Sequence, residues 1–168
     1  MLIDKKLADL FLYHYKAVMV FLNGGAEPDG FKGYGFLRPL IFKDNEDLEE
    51  GITDIVGIDF FNSIKSGIFG KFVYLKKYQK GYILKSIDTG KYYQVAALTT
   101  PLEELIGDYS VIETAIIPYT NKLVCDGLIL SCGVSIGKNM AKEIRDGYWE
   151  AKRSGELIKN LQINQERV

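Results

Sequence analysis

The chain has 168 residues, is 47% hydrophobic and 26% charged, and carries a formal net charge of -1. That is the length of one domain with enough apolar surface to bury a core without a metal or disulfide staple. The near-neutral charge excludes global steering toward nucleic acid or anionic membrane, and two cysteines with one histidine exclude a disulfide framework and a Cys/His zinc site.

Asp4 is placed to cap a helix running to about Leu22, stopped by Asn23-Gly24-Gly25. Leu7, Leu10, Phe11, Ala17, Val18 and Phe21 form one apolar face at helical spacing. Leu12, Met19, Val20 and Leu22 widen it, so the helix is expected to pack on a sheet and on a second element, or on a second copy of the protein. Leu12, Met19 and Val20 are the residues expected at such a homodimer surface. The run Leu10–Leu22 is too short and too interrupted, by His14 and Lys16, to span a membrane. Reduced thiols and no export signal predict a cytoplasmic protein.

Residues 23–35 read as a glycine-rich loop, and 36–42 as an edge strand because Pro39 is barred from a central one. Asn45 or Asp44 then caps an acidic helix weakened by Gly51, and Asp59 starts a further short helix. From Lys71 to Gly133 come strand-like runs joined by Lys80-Gly81, Thr89-Gly90 and Thr120-Asn121. The last two runs, 111–119 and 122–130, are apolar at both parities, which predicts cover on both faces. Cys125 and Cys132 fall on one predicted strand at odd and even positions, and so point to opposite faces. Thr100-Pro101-Leu102-Glu103 has the form of a capping box for a short helix. A long C-terminal helix follows Ser135, with Met140, Ala141, Ile144, Tyr148 and Ala151 as its apolar stripe. The tail is expected to fray beyond Leu161. The fold class is therefore α+β: a single domain over 1–168, with a mostly antiparallel meander sheet at 71–133 between an N-terminal helix (1–25) and a C-terminal helix (135–160).

Three constellations carry possible chemistry. Lys32, Tyr34, Phe36 and Arg38 resemble an RNA-stacking strand, in which alternate aromatics meet bases and the cations meet phosphates. Against this, the partner strand of such a domain is missing. Gly133-Val134-Ser135-Ile136-Gly137 matches the nucleophile-elbow pattern, but no histidine follows it. Ser135, Gly137 and Lys138 at a helix N-terminus also suit an anion, although the spacing is not that of a phosphate-binding loop. Finally, a two-residue hairpin at Thr120-Asn121 sets Ala115 opposite Asp126 and Glu113 opposite Leu128. Glu113 and Asp126 are then diagonal neighbours about 7–8 Å apart, able to hold a divalent cation or act as an acid–base pair. The alternative is that Asp126-Gly127 marks a bulge.

The order 90–106, then 111–129, then a glycine turn and a basic helix resembles an uncharacterised bacterial family. Its members share a Pro-containing strand, a turn and a second strand bearing Asp-Gly-Leu. On this chain these are Pro118, Asp126, Gly127 and Leu128, with Gly137 and Lys138 in the following turn, and the likeness covers about residues 71–160. Some relatives carry a zinc-binding Cys-rich tail that this chain lacks, so the resemblance implies no metal and no activity. The sequence thus points to a small cytoplasmic binding or interaction protein without catalysis or cofactor. Nucleotide, phosphate or nucleic-acid binding is the first alternative, and a metal-dependent enzyme using Glu113 and Asp126 the second.

Overall fold

A computed structural model describes residues 1–165. Helix α1 (Lys5–Leu22) begins where Asp4 accepts hydrogen bonds from the backbone N–H of Lys6 and Leu7, and it ends at Asn23. Helices α2 (Gly30–Leu37), α3 (Glu46–Val56) and α4 (Ile58–Lys65) follow, with a 3-10 turn over Arg38–Phe42 between α2 and α3. The edge strand expected at 36–42 is therefore absent. Pro39 stands at the start of the 3-10 turn, where its missing N–H costs nothing, and this region joins the helical layer. Asn45 caps α3 through the N–H of Leu48. Gly51 lets α3 approach α1 closely: a Cβ there would lie 2.9 and 3.0 Å from ring carbons of Phe21 on α1, and the ring would have to move.

Strands β1 (Ile68–Tyr78), β2 (Gly81–Ser86), β3 (Tyr92–Val95), β4 (Ser110–Tyr119), β5 (Lys122–Cys125) and β6 (Leu130–Ser135) form one antiparallel sheet. Its order is β3-β2-β1-β4-β5, and β6 also pairs with β4. The sheet curls until Ala96, just after β3, bridges Val124 in parallel. Inside the curl lies an apolar core of Phe72, Tyr74, Leu84, Tyr93, Ile112 and Ile116. Outside, α1, α3 and α4 cover one region of the sheet. Helix α6 (Lys138–Ser154) covers another through Ile144, Tyr148 and Ala151. Both faces of β4 and β5 are thus buried, as their unbroken apolar runs predict. Met140, expected in the stripe of α6, points into solvent instead.

The segment expected as one strand from 122 to 131 is two strands. Ile116 faces Cys125, but Glu113 faces Leu130 rather than Leu128, so the register slips by two residues at a break after Asp126. Gly127 makes the break with a φ of 82°, and the Asp126 carboxylate accepts the N–H of Leu128 across it. The Thr120-Asn121 hairpin forms as expected, with both residues at positive φ. Ser135 ends β6, and Gly137, with no side-chain cap, precedes α6. Leu157 is buried and Ile158 bridges Tyr93, so the tail docks at its start. Residues 166–168 of the expected frayed end lie outside the described residues. Among the described residues no helix is long and apolar enough to cross a membrane.

The short helix α5 (Leu102–Leu105) forms without the capping-box bond. Glu103 reaches away from the helix start and binds Lys77 Nζ at 2.7 Å and Tyr82 Oη at 2.6 Å, tying α5 to the hairpin of β1 and β2. Those two hydrogen bonds hold its carboxyl down at about 2, from an ordinary 4.5. A lowered carboxyl pKa stabilises the fold above the unfolded value and loses that contribution as pH falls through the folded one. Glu103→Gln is therefore expected to flatten the fall of stability between about pH 4.5 and 2, measured by denaturation at a series of acid pH values. Parallel curves for the two proteins would refute the link.

Candidate functional site

Four elements deliver one buried polar cluster. The repeat Phe11, Tyr15, Val18 turns one side of α1 toward the sheet, and all three are buried. The 3-10 turn brings in Arg38, β4 brings Thr114, and the break after β5 brings Asp126, each at most 1% exposed. Asp126 Oδ2 accepts from Tyr15 Oη at 2.8 Å and from Arg38 Nη1 at 3.1 Å. Its Oδ1 accepts from Thr114 Oγ1 at 3.1 Å, from Leu128 N at 3.0 Å and from Arg38 Nη1 at 3.2 Å. Arg38 Nη1 also donates to the Leu128 carbonyl. A buried carboxylate survives only when paired and hydrogen-bonded, and Asp126 has both.

The guanidinium is less complete. It lies over the Phe69 ring, 4.9 Å from the centroid, and its Nη2 stands 4.0 Å from Glu113 Oε1, beyond hydrogen-bond reach. Nε and Nη2 have no hydrogen-bond partner. Glu113 and Asp126 do share a face, as the hairpin register predicts, and both address one cation. That cation is Arg38, and it occupies the space a divalent ion would need between them. Among the described residues no three acidic, Cys or His side chains are grouped to hold a metal.

Burial of Tyr15, then the neighbouring Asp126 charge, push its phenol well above the ordinary value, so it stays a donor at any physiological pH. Burial, with the Asp126 charge second, raises the Cys125 thiol to about 11. Cys125 faces the inner core and Cys132 the α6 side, so the two point apart although they belong to different strands. With a neutral, buried thiol at Cys125, a thiol reagent at pH 8 is expected to modify Cys132 first in the native protein. Cys125 should react only on denaturation. Equal rates for the two thiols would refute this.

Beside the cluster lies a cavity of about 390 Å³. Leu12 and Met19 of α1, Phe31 of α2, and Leu98, Leu102 and Leu128 give it an apolar wall. Of its lining residues only Lys16 and Asp126 carry a charge, and the Asp126 side chain is fully buried. Met19 has no exposed surface and Leu12 is half-buried, so the second apolar face of α1 is covered largely by the chain's own α2, α3 and cavity wall. The intermolecular role expected for Leu12, Met19 and Val20 is thus not available to Met19.

The remaining sequence candidates lie apart. Tyr34 and Phe36 are on helix α2, where positions two apart face opposite ways, so they do not form one stacking surface. Phe36 is 80% exposed, Lys32 is exposed, and Arg38 is sealed in the cluster rather than free for a phosphate. Ser135 and Lys138 are exposed; Lys138 borders a shallow depression with Lys142, Arg145 and Asp108. Tyr15 carries no sequence signal of its own, because a tyrosine in an apolar helix stripe reads as core. With 36–42 expected as a strand, the pairing of Arg38 with Asp126, 88 positions away, has no local signal. The chain matches no family model, and no curated protein or solved structure matches it.

Proposed function

We propose that this protein is a binding protein for a small, mainly apolar ligand, held in the cavity between α1, α2 and the segment around Leu98–Leu105. The observation that supports this is the cavity itself. Its volume lies in the range of roughly 300–1,000 Å³ typical of ligand pockets, and its apolar wall meets a polar cluster at one point. Catalysis through Glu113 and Asp126 is the weaker reading. Asp126 has both oxygens committed to internal donors, and an arginine stands where the metal or water would be activated. The cluster instead serves to hold the wall: it locks α1, the 3-10 turn after α2, and the break after β5 in one arrangement.

Titration with the dye 8-anilinonaphthalene-1-sulfonate, followed by fluorescence, tests the reading. Saturable binding at one site is expected, and Leu12→Trp, which fills the cavity, is expected to remove it while circular dichroism stays native. No saturable binding, or full binding to a folded Leu12→Trp protein, would overturn it.

A further inference from the structure

We infer that the ligand is a free single-chain amphiphile with an anionic head group, its chain in the cavity and its head at Lys16. This assignment rests on the cavity being a binding site and specifies its chemistry. Lys16 lies on α1 one residue beyond Tyr15, so it leaves the buried stripe and borders the cavity from the solvent side. It is exposed and, among the described residues, has no carboxylate within ion-pair distance, whereas Lys5 on the same helix is paired with Asp9 at 2.6 Å. Thr99 and Thr100, also exposed and lining the cavity, have hydroxyls free of hydrogen bonds among the described residues. One unpaired cation and two hydroxyls, all on the exposed part of an otherwise apolar lining, complement a carboxylate or similar anion.

The orientation follows from the other end. The polar side chains of the inner wall are already paired, and the unpartnered Nε and Nη2 of Arg38 lie outside the cavity lining. The Asp126 carboxylate and Tyr15 hydroxyl bind each other, and the Cys125 thiol is paired with Thr114 Oγ1 behind the wall. An anion placed there would meet the negative carboxylate and find no free side-chain donor, whereas an alkyl chain needs none. The chain therefore goes in and the charge stays out, where it also remains partly hydrated.

Isothermal titration of the full chain with decanoate and with decanol separates the two levels of the claim. Decanoate is expected to bind about three- to tenfold more tightly than decanol, the range of a hydrogen-bonded ion pair at a partly exposed position. Raising the salt concentration should erode that advantage. Lys16→Gln is expected to bring decanoate down to the affinity of decanol, and Lys16→Glu to take it below. Equal binding of the two ligands, or an advantage that survives Lys16→Gln, would overturn the head-group assignment and leave the cavity reading standing. Failure of both ligands to bind would count against the cavity itself. Association with phosphatidylglycerol vesicles without binding of monomeric decanoate would overturn the assignment of a free ligand.

Discussion

Arg38→Met is expected to destabilise the protein by about 3–5 kcal/mol, because it leaves the Asp126 carboxylate buried without its counter-charge. Methionine fills much of the same volume, so the loss is electrostatic more than steric. Tyr15, Thr114 and Leu128 N would still donate to Asp126, which keeps the cost toward the lower end of that range. Glu113→Gln removes only a partly exposed carboxylate 4.0 Å from the guanidinium and is expected to cost under about 1 kcal/mol. The double variant Arg38→Met/Asp126→Asn removes both charges and should be less destabilised than the sum of its two single variants, with a coupling above about 1 kcal/mol. Denaturant melts of the four proteins decide this. Strict additivity would mean that the pair does not act as a unit. Because the 3-10 turn carrying Arg38 directly follows α2, and α2 walls the cavity, Arg38→Met is also expected to weaken dye binding.

The second large effect sets two local rules against each other. Gly147 lies within α6 at an ordinary backbone angle, so helix propensity alone predicts that Gly147→Ala stabilises by about 1 kcal/mol. Packing predicts the opposite. A Cβ at 147 would fall well inside contact distance of Tyr92 Oη and 3.2 Å from its Cζ. The phenol cannot simply swing aside. It is buried, and its hydroxyl donates to the Ile144 carbonyl one turn earlier at 2.8 Å. Gly147→Ala is therefore expected to destabilise by about 1–3 kcal/mol, the usual cost of overfilling a packed site. Tyr92→Phe alone should lose about 1 kcal/mol with its hydrogen bond. Combining the two substitutions should recover part of the loss, because the colliding oxygen is gone. A net gain of stability in Gly147→Ala would mean that α6 shifts freely on the sheet.

Local chemistry was sufficient for the parts of the chain whose partners are near in sequence. Asp4 and Asn45 as caps, the turn at Thr120-Asn121 and the α+β class form as expected, but β1 starts at Ile68 rather than Lys71, β3 ends at Val95, and β4 pairs with β1 instead of continuing a meander from β3. Apolar residues at both parities of β4 and β5 likewise foretold cover on both faces. Tertiary contact decided the rest. Residues 36–42 are helical and carry Arg38 into the core against Asp126, a pairing that no local pattern expresses. Glu103 leaves its capping position because Lys77 and Tyr82 offer a better pair of donors. The break after Asp126 was within reach of the sequence, since Asp-Gly is a turn signal, but its consequence was not: it aims a carboxylate at α1 and the 3-10 turn. The cavity belongs wholly to the tertiary structure. Its walls come from α1, α2, α5 and the chain beside β3 and β5, and only the curl of the sheet sets them face to face.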